Sequence, residues 1–252
     1  MGEALAAGLV EAGWAPADEL VVVEVAEARR DALAQRLDGV EVVGSAPGAD
    51  GTVIAVKPAD VEAALGAAAE SGTDRVLSIA AGVRLDALES AAGSGTPVVR
   101  AMTNTPTLVG AGAAAIAAGS HAGEDDLAWA EDVLGSVGTV ARVPEDLLDA
   151  VTGLSGSGPA YVFLIAEALV DAGVLVGLPR ELSEALVTQT LLGSAALLAE
   201  SGDDAVAHRA AITSPGGTTA AGLRVLEAEG VRGAVLDAVD AATRRSRELG
   251  GG

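Results

Sequence analysis

The stretch GTVIAVKPADVEAALGAAAESGTDRVLSIAAGV, Gly51–Val83, changes its period twice. Gly51–Val56 is a β-branched run stopped by Pro58, which predicts a strand. Ala59–Ser71 spaces its apolar residues as a helix does, and Asp74–Ala80 returns to an apolar, β-branched run. Strand, helix and strand within about 30 residues make a βαβ unit, which pairs its strands in parallel through the helical crossover. The flanks repeat the pattern. Glu19–Val25, Thr96–Met102 and Gly138–Val143 read as strands, and Glu27–Leu37, Arg84–Ala92 and Glu124–Leu134 as helices. The alternation predicts an α/β domain with a mostly parallel sheet.

From Pro144 the texture changes. Long helical patterns follow at Ala160–Val176, Arg180–Ser201, Thr218–Glu229 and Val231–Leu249, broken by GLPRE and TSPGGTT. The boundary is therefore expected near Glu145, with residues 1–145 as a dinucleotide-binding domain and 146–252 as an all-α substrate-binding and dimerisation domain. The apolar faces of these helices exceed what so small a bundle buries alone, so helices of a second subunit are expected to cover them.

Composition removes several classes of chemistry. The chain has 252 residues, half of them hydrophobic, no cysteine and two histidines, His121 and His208, far apart in sequence. Thiol catalysis, cysteine–zinc sites, a His-based metal cluster and a Ser-His-Asp triad are not expected, and no metal is assigned. A net charge of −21 repels nucleic acid and anionic lipid. Lys57 is the one lysine. Abundant alanine and carboxylates with scarce lysine resemble proteins of salt-loving organisms, in which salt screens the surface repulsion. No apolar run of about 20 residues lacks charge and no basic leader precedes one, so a cytoplasmic protein without a membrane span is expected.

The first fourteen residues, MGEALAAGLVEAGW, form an amphipathic pattern with Leu5, Leu9 and Val10 on one face. In a dinucleotide-binding fold the last glycine of G-x-G-x-x-G sits just inside the first helix, and a carboxylate about 20 residues on meets the ribose. Gly2 fits the glycine and Glu24, after LVVV, the carboxylate. The strand and glycines that precede them in such folds are expected to be missing ahead of Met1. Ligands of open α/β sheets bind at the carboxyl ends of the strands. That places Ala55, Val56, Lys57 and Pro58 after one strand, Ala80, Ala81 and Gly82 after the next, and Asn104 and Thr105 after a third among the cofactor contacts. Small residues there admit a flat ring or a pyrophosphate, and Asn104 and Thr105 are able to orient a carboxamide. Ser214–Thr219, SPGGTT, puts glycines and hydroxyls before a helix, an arrangement that offers backbone N–H groups to a carboxylate. In LSGSGPAYVF, Ser157 is the expected helix N-cap.

Together AVKP, SIAAGV, RAMTNTPTLVGAG, VTGLSGSGPAYVF, DAGVLVGLPRE and TSPGGTTAAGLRVLE resemble the pyrroline-5-carboxylate reductase family, in family order along the chain. The resemblance implies a Rossmann-type domain lacking its first strand here, then a helical domain that forms a homodimer or a ring of dimers. It implies hydride transfer from NADPH to 1-pyrroline-5-carboxylate, giving L-proline, in proline biosynthesis. It implies that Ser214, Gly216, Gly217, Thr218 and Thr219 bind the substrate, with the Thr219 hydroxyl orienting the imine as the catalytic contact. Glu24 departs toward NADH, because a carboxylate favours a ribose 2′-OH and repels a 2′-phosphate; Arg29 and Arg30 oppose it. NADH use at least comparable to NADPH is expected. The runner-up reading is an N-terminally truncated, weakly active or non-catalytic homologue. A β-hydroxyacid reductase is disfavoured because Ala160–Val176 carries no lysine.

Overall fold

The computed structural model describes residues 1–251. It divides into two units: Met1–Ser157 joined by the chain from Asp240 onward, and Gly158–Val239.

The first unit contains the α/β fold and runs past Glu145 to Ser157. Helix α1 (Gly2–Glu11) precedes β1 (Val21–Val23), α2 (Glu27–Ala34) and β2 (Glu41–Val43). Then come β3 (Thr52–Ile54), α3 (Val61–Ser71), β4 (Val76–Ser78), α4 (Leu85–Ala92) and β5 (Val98–Met102). After these follow β6 (Gly112–Ala118), α5 (Glu124–Gly135), β7 (Gly138–Arg142) and the short α6 (Leu148–Val151). Strands β1 and β2 pair in parallel as one small sheet, and β3-β4-β5-β6-β7 form a second. Two strands escape the sequence reading. Glu41–Val43 is short, and Gly112–Ala118 is almost all alanine with one β-branched residue. Strand β6 also pairs antiparallel with β5, the one such pair among the described residues. Nine residues separate it from β5, too few for the crossover that parallel pairing needs.

Alternation along β5 sorts the core into two layers. Val98 faces the cluster of Val61, Leu65, Leu88 and Leu148, on α3, α4 and α6. Val99 and Ala101 face Leu5, Leu9, Ala130 and Val133, on α1 and α5. Helix α1 serves both sheets. Its Leu5 and Leu9 enter the larger core, while Ala6 and Val10 pack on Leu33, Leu37 and Val40. A side chain at Gly8 would overlap Val137, so the glycine is what lets α1 approach this closely.

Thr152–Gly156 continues α6 as a π-helical turn. Ser157 has φ −84° and ψ −18°, and its N–H donates to Thr152 O at 2.8 Å. Ser157 is a bend between the π turn and the next helix, which starts at Gly158, so it stands at the expected position before that helix while its own N–H closes the π turn. The chain's end rejoins this unit, where buried Ser246 donates to Asp149 Oδ1 at 2.6 Å.

The second unit is built from α7 (Gly158–Leu175), α8 (Arg180–Glu200), α9 (Ala205–Ala211), α10 (Thr218–Ala228) and the start of α11 (Val231–Leu249). Helices α7 and α8 pack together, and a side chain at Gly173 would overlap Ser183. The turn between them closes with Gly177 at φ +101° and Leu178 N donating to Gly173 O. No residue of α7 and only Ser183 of α8 is buried. Phe163, Leu164, Leu175, Leu192 and Leu236 all lie open.

Two helices combine length with an apolar composition, a combination that helices of soluble proteins also show. The helical run Glu145–Leu175 and α8 are both long and apolar enough to cross one by length and composition. Glu167 and Asp171 interrupt the apolar run within α7. Helices apolar on every side require a cover on every side.

Candidate active site

Register brings the predicted contacts of the first unit to one edge. Ile54, Ser78 and Arg100 lie side by side across β3, β4 and β5. The residues that follow each strand therefore leave the sheet together. After β3 come Ala55 and the exposed Val56, Lys57 and Pro58; Lys57 makes no ion pair among the described residues. After β4 come buried Ala80, exposed Ala81 and Gly82, whose φ of +78° favours glycine. After β5 come Thr103 and Asn104, both nearly buried, and exposed Thr105 at the head of a 3-10 turn.

Gly2 opens α1 against the same edge. A Cβ on Gly2 would lie 2.9 Å from Ala55 Cβ, so the helix N-terminus reaches the β3 tip only without a side chain. This is the packing duty of the third glycine in a nucleotide fingerprint. The amides of the first helical turn have no intrahelical acceptor and carry the positive end of the helix dipole.

Glu24 follows β1, with its N–H donating to Val43 O at 2.9 Å. One carboxylate oxygen accepts from Ala26 N at 3.0 Å and the other pairs with Arg29 Nε at 3.0 Å. Arg30 Nη1 donates to the carbonyls of Glu24 and Val25, at 3.0 and 2.8 Å. Of the two arginines, Arg29 is thus the exposed partner of the carboxylate and Arg30 a brace of the turn.

Asn104 is engaged at both ends. Its Nδ2 donates to Ser155 O at 3.1 Å, and its Oδ1 accepts from Ala113 N at 2.9 Å. The carboxamide therefore ties the β5 tip to β6 and to the π turn. Gly156 lies against Met102, and a side chain there would overlap its Cε. Sequence reading missed the π turn as part of this edge; its trace is the pair of glycines in TGLSG, where a tight approach needs them. It also missed the pair of Arg100 Nη1 and Glu145 Oε1, at 2.7 Å. An isolated arginine within the β-branched run PVVRAM was its signal, since a charge inside a sheet needs a partner.

The predicted anion-binding turn lies in the second unit. Gly216 adopts φ +73°, and Gly217, extended at the N-cap of α10, has no side chain that would cap the helix. A Cβ at Gly217 would overlap Ser214 Oγ. Thr218 and Thr219 begin the helix. Their amides and that of Ala220 belong to the first helical turn and lack intrahelical acceptors, and Ser214 Oγ lies beside Gly217. Such a turn suits one small carboxylate. Among the described residues no cluster of three or more His, Cys, Asp or Glu is disposed to hold a metal.

The family profile described as "Pyrroline-5-carboxylate reductase dimerisation" matches residues 145–249. A second, described as "NADP oxidoreductase coenzyme F420-dependent", matches residues 1–82. The chain is 46% identical to pyrroline-5-carboxylate reductase of Synechocystis sp. (strain ATCC 27184 / PCC 6803 / Kazusa), covering 99% of this chain and 95% of that protein. It is 45% identical to the enzyme so named in Mycobacterium leprae, covering 99% and 93%. Among solved structures, a pyrroline-5-carboxylate reductase from Coxiella burnetii superposes with a TM-score of 0.92 at 36% identity, covering 98% of this chain and 94% of that one. The Plasmodium falciparum pyrroline carboxylate reductase with NADP bound gives 0.84 at 33% identity, covering 99% and 94%.

Proposed function

This chain belongs to the pyrroline-5-carboxylate reductase family, and from that premise we propose that it reduces 1-pyrroline-5-carboxylate to L-proline. It is an oxidoreductase acting on a C=N bond. The reduced nicotinamide supplies a hydride to the imine carbon. The edge formed by Ala55–Pro58, Ala80–Gly82 and the β5 tip fits such a group, because Gly2 and Gly82 leave room for backbone to approach a flat ring and a pyrophosphate. Gly2, Glu24, Ala55, Val56, Lys57, Pro58, Ala80, Ala81, Gly82 and Thr105 are its contacts, with Asn104 holding the β5 tip in place. Both NADPH and NADH serve, NADH at least comparably, because Glu24 meets a ribose hydroxyl and Arg29 a 2′-phosphate.

The observation that carries the substrate assignment is the uncapped N-terminus of α10 behind Ser214–Gly217. Its amides and the Ser214 and Thr218 hydroxyls hold the substrate carboxylate. The Thr219 hydroxyl accepts a hydrogen bond from the protonated imine nitrogen, which fixes the ring and keeps the imine carbon electrophilic. A protonated imine needs no nucleophile or thiol, which agrees with a chain that lacks cysteine. The apolar faces of α7 and α8 are covered in a homodimer, or a ring of dimers, by the same segment of a second copy. This covering, not a bilayer, accounts for their exposure in the single chain, and the protein works in the cytoplasm. The acidic surface is that of a salt-adapted enzyme.

The purified chain, given 1-pyrroline-5-carboxylate and either reduced nicotinamide, is expected to consume the nicotinamide absorbance and yield proline in equal amounts. Oxidation without proline, or no oxidation with either nicotinamide, overturns the reading.

A further inference from the structure

We infer that Glu145 is a positioning residue for the loop after β4, the loop that the proposed function places against the nicotinamide. Helix α4 starts after Arg84, whose backbone is extended and whose side chain makes no cap bond. The cap comes instead from a residue 60 positions away: Glu145 Oε1 accepts from Leu85 N at 2.6 Å. The same oxygen accepts from Arg100 Nη1 at 2.7 Å, and Arg84 Nη2 lies 3.7 Å from Oε2. The Arg100 side chain is 8% exposed and that of Glu145 21%. Two positions after Val98 on β5, Arg100 shares its face of the sheet, toward α4 and Leu148.

A buried ion pair is by itself weak evidence for stability. Its third bond shows what this one does. The loop between Ser78 and Leu85 has two ends. Sheet pairing fixes the first, with Ser78 beside both Ile54 and Arg100. The second, Leu85 N, is fixed by Glu145, and Arg100 holds that carboxylate from the strand next to Ser78. Between them, Ala80 N donates to Ser78 Oγ at 3.4 Å and Gly82 turns left-handed. Six residues anchored at both ends keep one shape, and that shape presents Ala80–Gly82 at the strand edge.

The test separates the cap from the charge pair by working on an Arg100→Met background, where no buried cation is left unpaired. R100M/E145L fills the site with apolar groups and orphans Leu85 N; R100M/E145Q keeps an oxygen for it. Thermal midpoints of the two are expected to be close. R100M/E145L is expected to raise the KM for reduced nicotinamide by about tenfold, the equivalent of one lost cap, with the KM for 1-pyrroline-5-carboxylate within about twofold of wild type. R100M/E145Q is expected to restore the nicotinamide KM to within about twofold of wild type. Equal nicotinamide KM values in the two doubles, or parallel rises for both substrates, overturn the role of Glu145. If R100M/E145L does not fold, Glu145→Asp is read instead. It retracts the carboxylate by one methylene, and an unchanged nicotinamide KM overturns the inference. Wild-type protein with no turnover overturns the functional reading on which this one rests; active wild type with indistinguishable doubles overturns this one alone.

Discussion

Replacing Glu24 by Gln is expected to swing cofactor choice from NADH toward NADPH by at least about thirtyfold. Gln keeps the amide oxygen that accepts from Ala26 N, so the turn after β1 stays intact. What goes is one negative charge held 3.0 Å from Arg29 Nε. A 2′-phosphate shared with Arg29 would sit about 6 Å from that carboxylate, where each pair of unit charges costs roughly 0.7 kcal/mol at the dielectric of water. With nearly two charges on the phosphate the repulsion is about 1 kcal/mol, and it grows as solvent is excluded around a side chain only 21% exposed. Relief of that repulsion, together with release of Arg29 for the phosphate, raises kcat/KM for NADPH about fivefold or more. Loss of the charged acceptor for the ribose hydroxyl lowers kcat/KM for NADH by a similar factor, at about 1 kcal/mol per bond. The assay is initial-rate kinetics with each nicotinamide at saturating 1-pyrroline-5-carboxylate, compared as the ratio of the two kcat/KM values. A change of less than about threefold in that ratio, or a drop in kcat/KM for NADPH, refutes the argument.

Thr219→Val removes the hydroxyl at nearly constant volume; kcat/KM for 1-pyrroline-5-carboxylate is expected to fall on the order of 100-fold with the nicotinamide KM unchanged, and Thr219→Ser to restore most of it. Full activity in the Val variant would remove Thr219 from the site. Gly2→Val places a side chain against Ala55, where even a Cβ lies 2.9 Å away; this is expected to destabilise by about 1–3 kcal/mol and weaken nicotinamide binding, read by thermal denaturation with and without NADPH. Glu131 is held below the ordinary carboxylate range by its two hydrogen bonds from Arg142. A carboxylate depressed by folding stabilises the fold above its unfolded pKa and loses that contribution as pH falls through its folded value. The thermal midpoint of Glu131→Gln is therefore expected below wild type at neutral pH, with the difference closing in acid; a constant difference would contradict the pairing.

The chain's pattern alone determined that an α/β unit precedes a helical one, and it marked nearly every residue of the strand edge. Period and β-branching are local properties, and strand ends in a parallel sheet must fall at one edge. Pattern failed where local chemistry was ambiguous. The alanines of β6 carry no strand propensity, and only the short connection from β5 and the ladder beside it make them a strand. Ser157 has the chemistry of an N-cap and stands just before a helix, but the π turn that its N–H closes, held by Asn104 and packed on Met102, has no local signature. Asn104 itself read as an open carboxamide until Ala113 and Ser155 occupied its two ends. The Glu145 cap joins residues 60 apart, and no spacing rule reaches that far. Long-range hydrogen bonds form because burial strips polar groups of water and obliges each to find a partner, so their identity belongs to the tertiary structure alone.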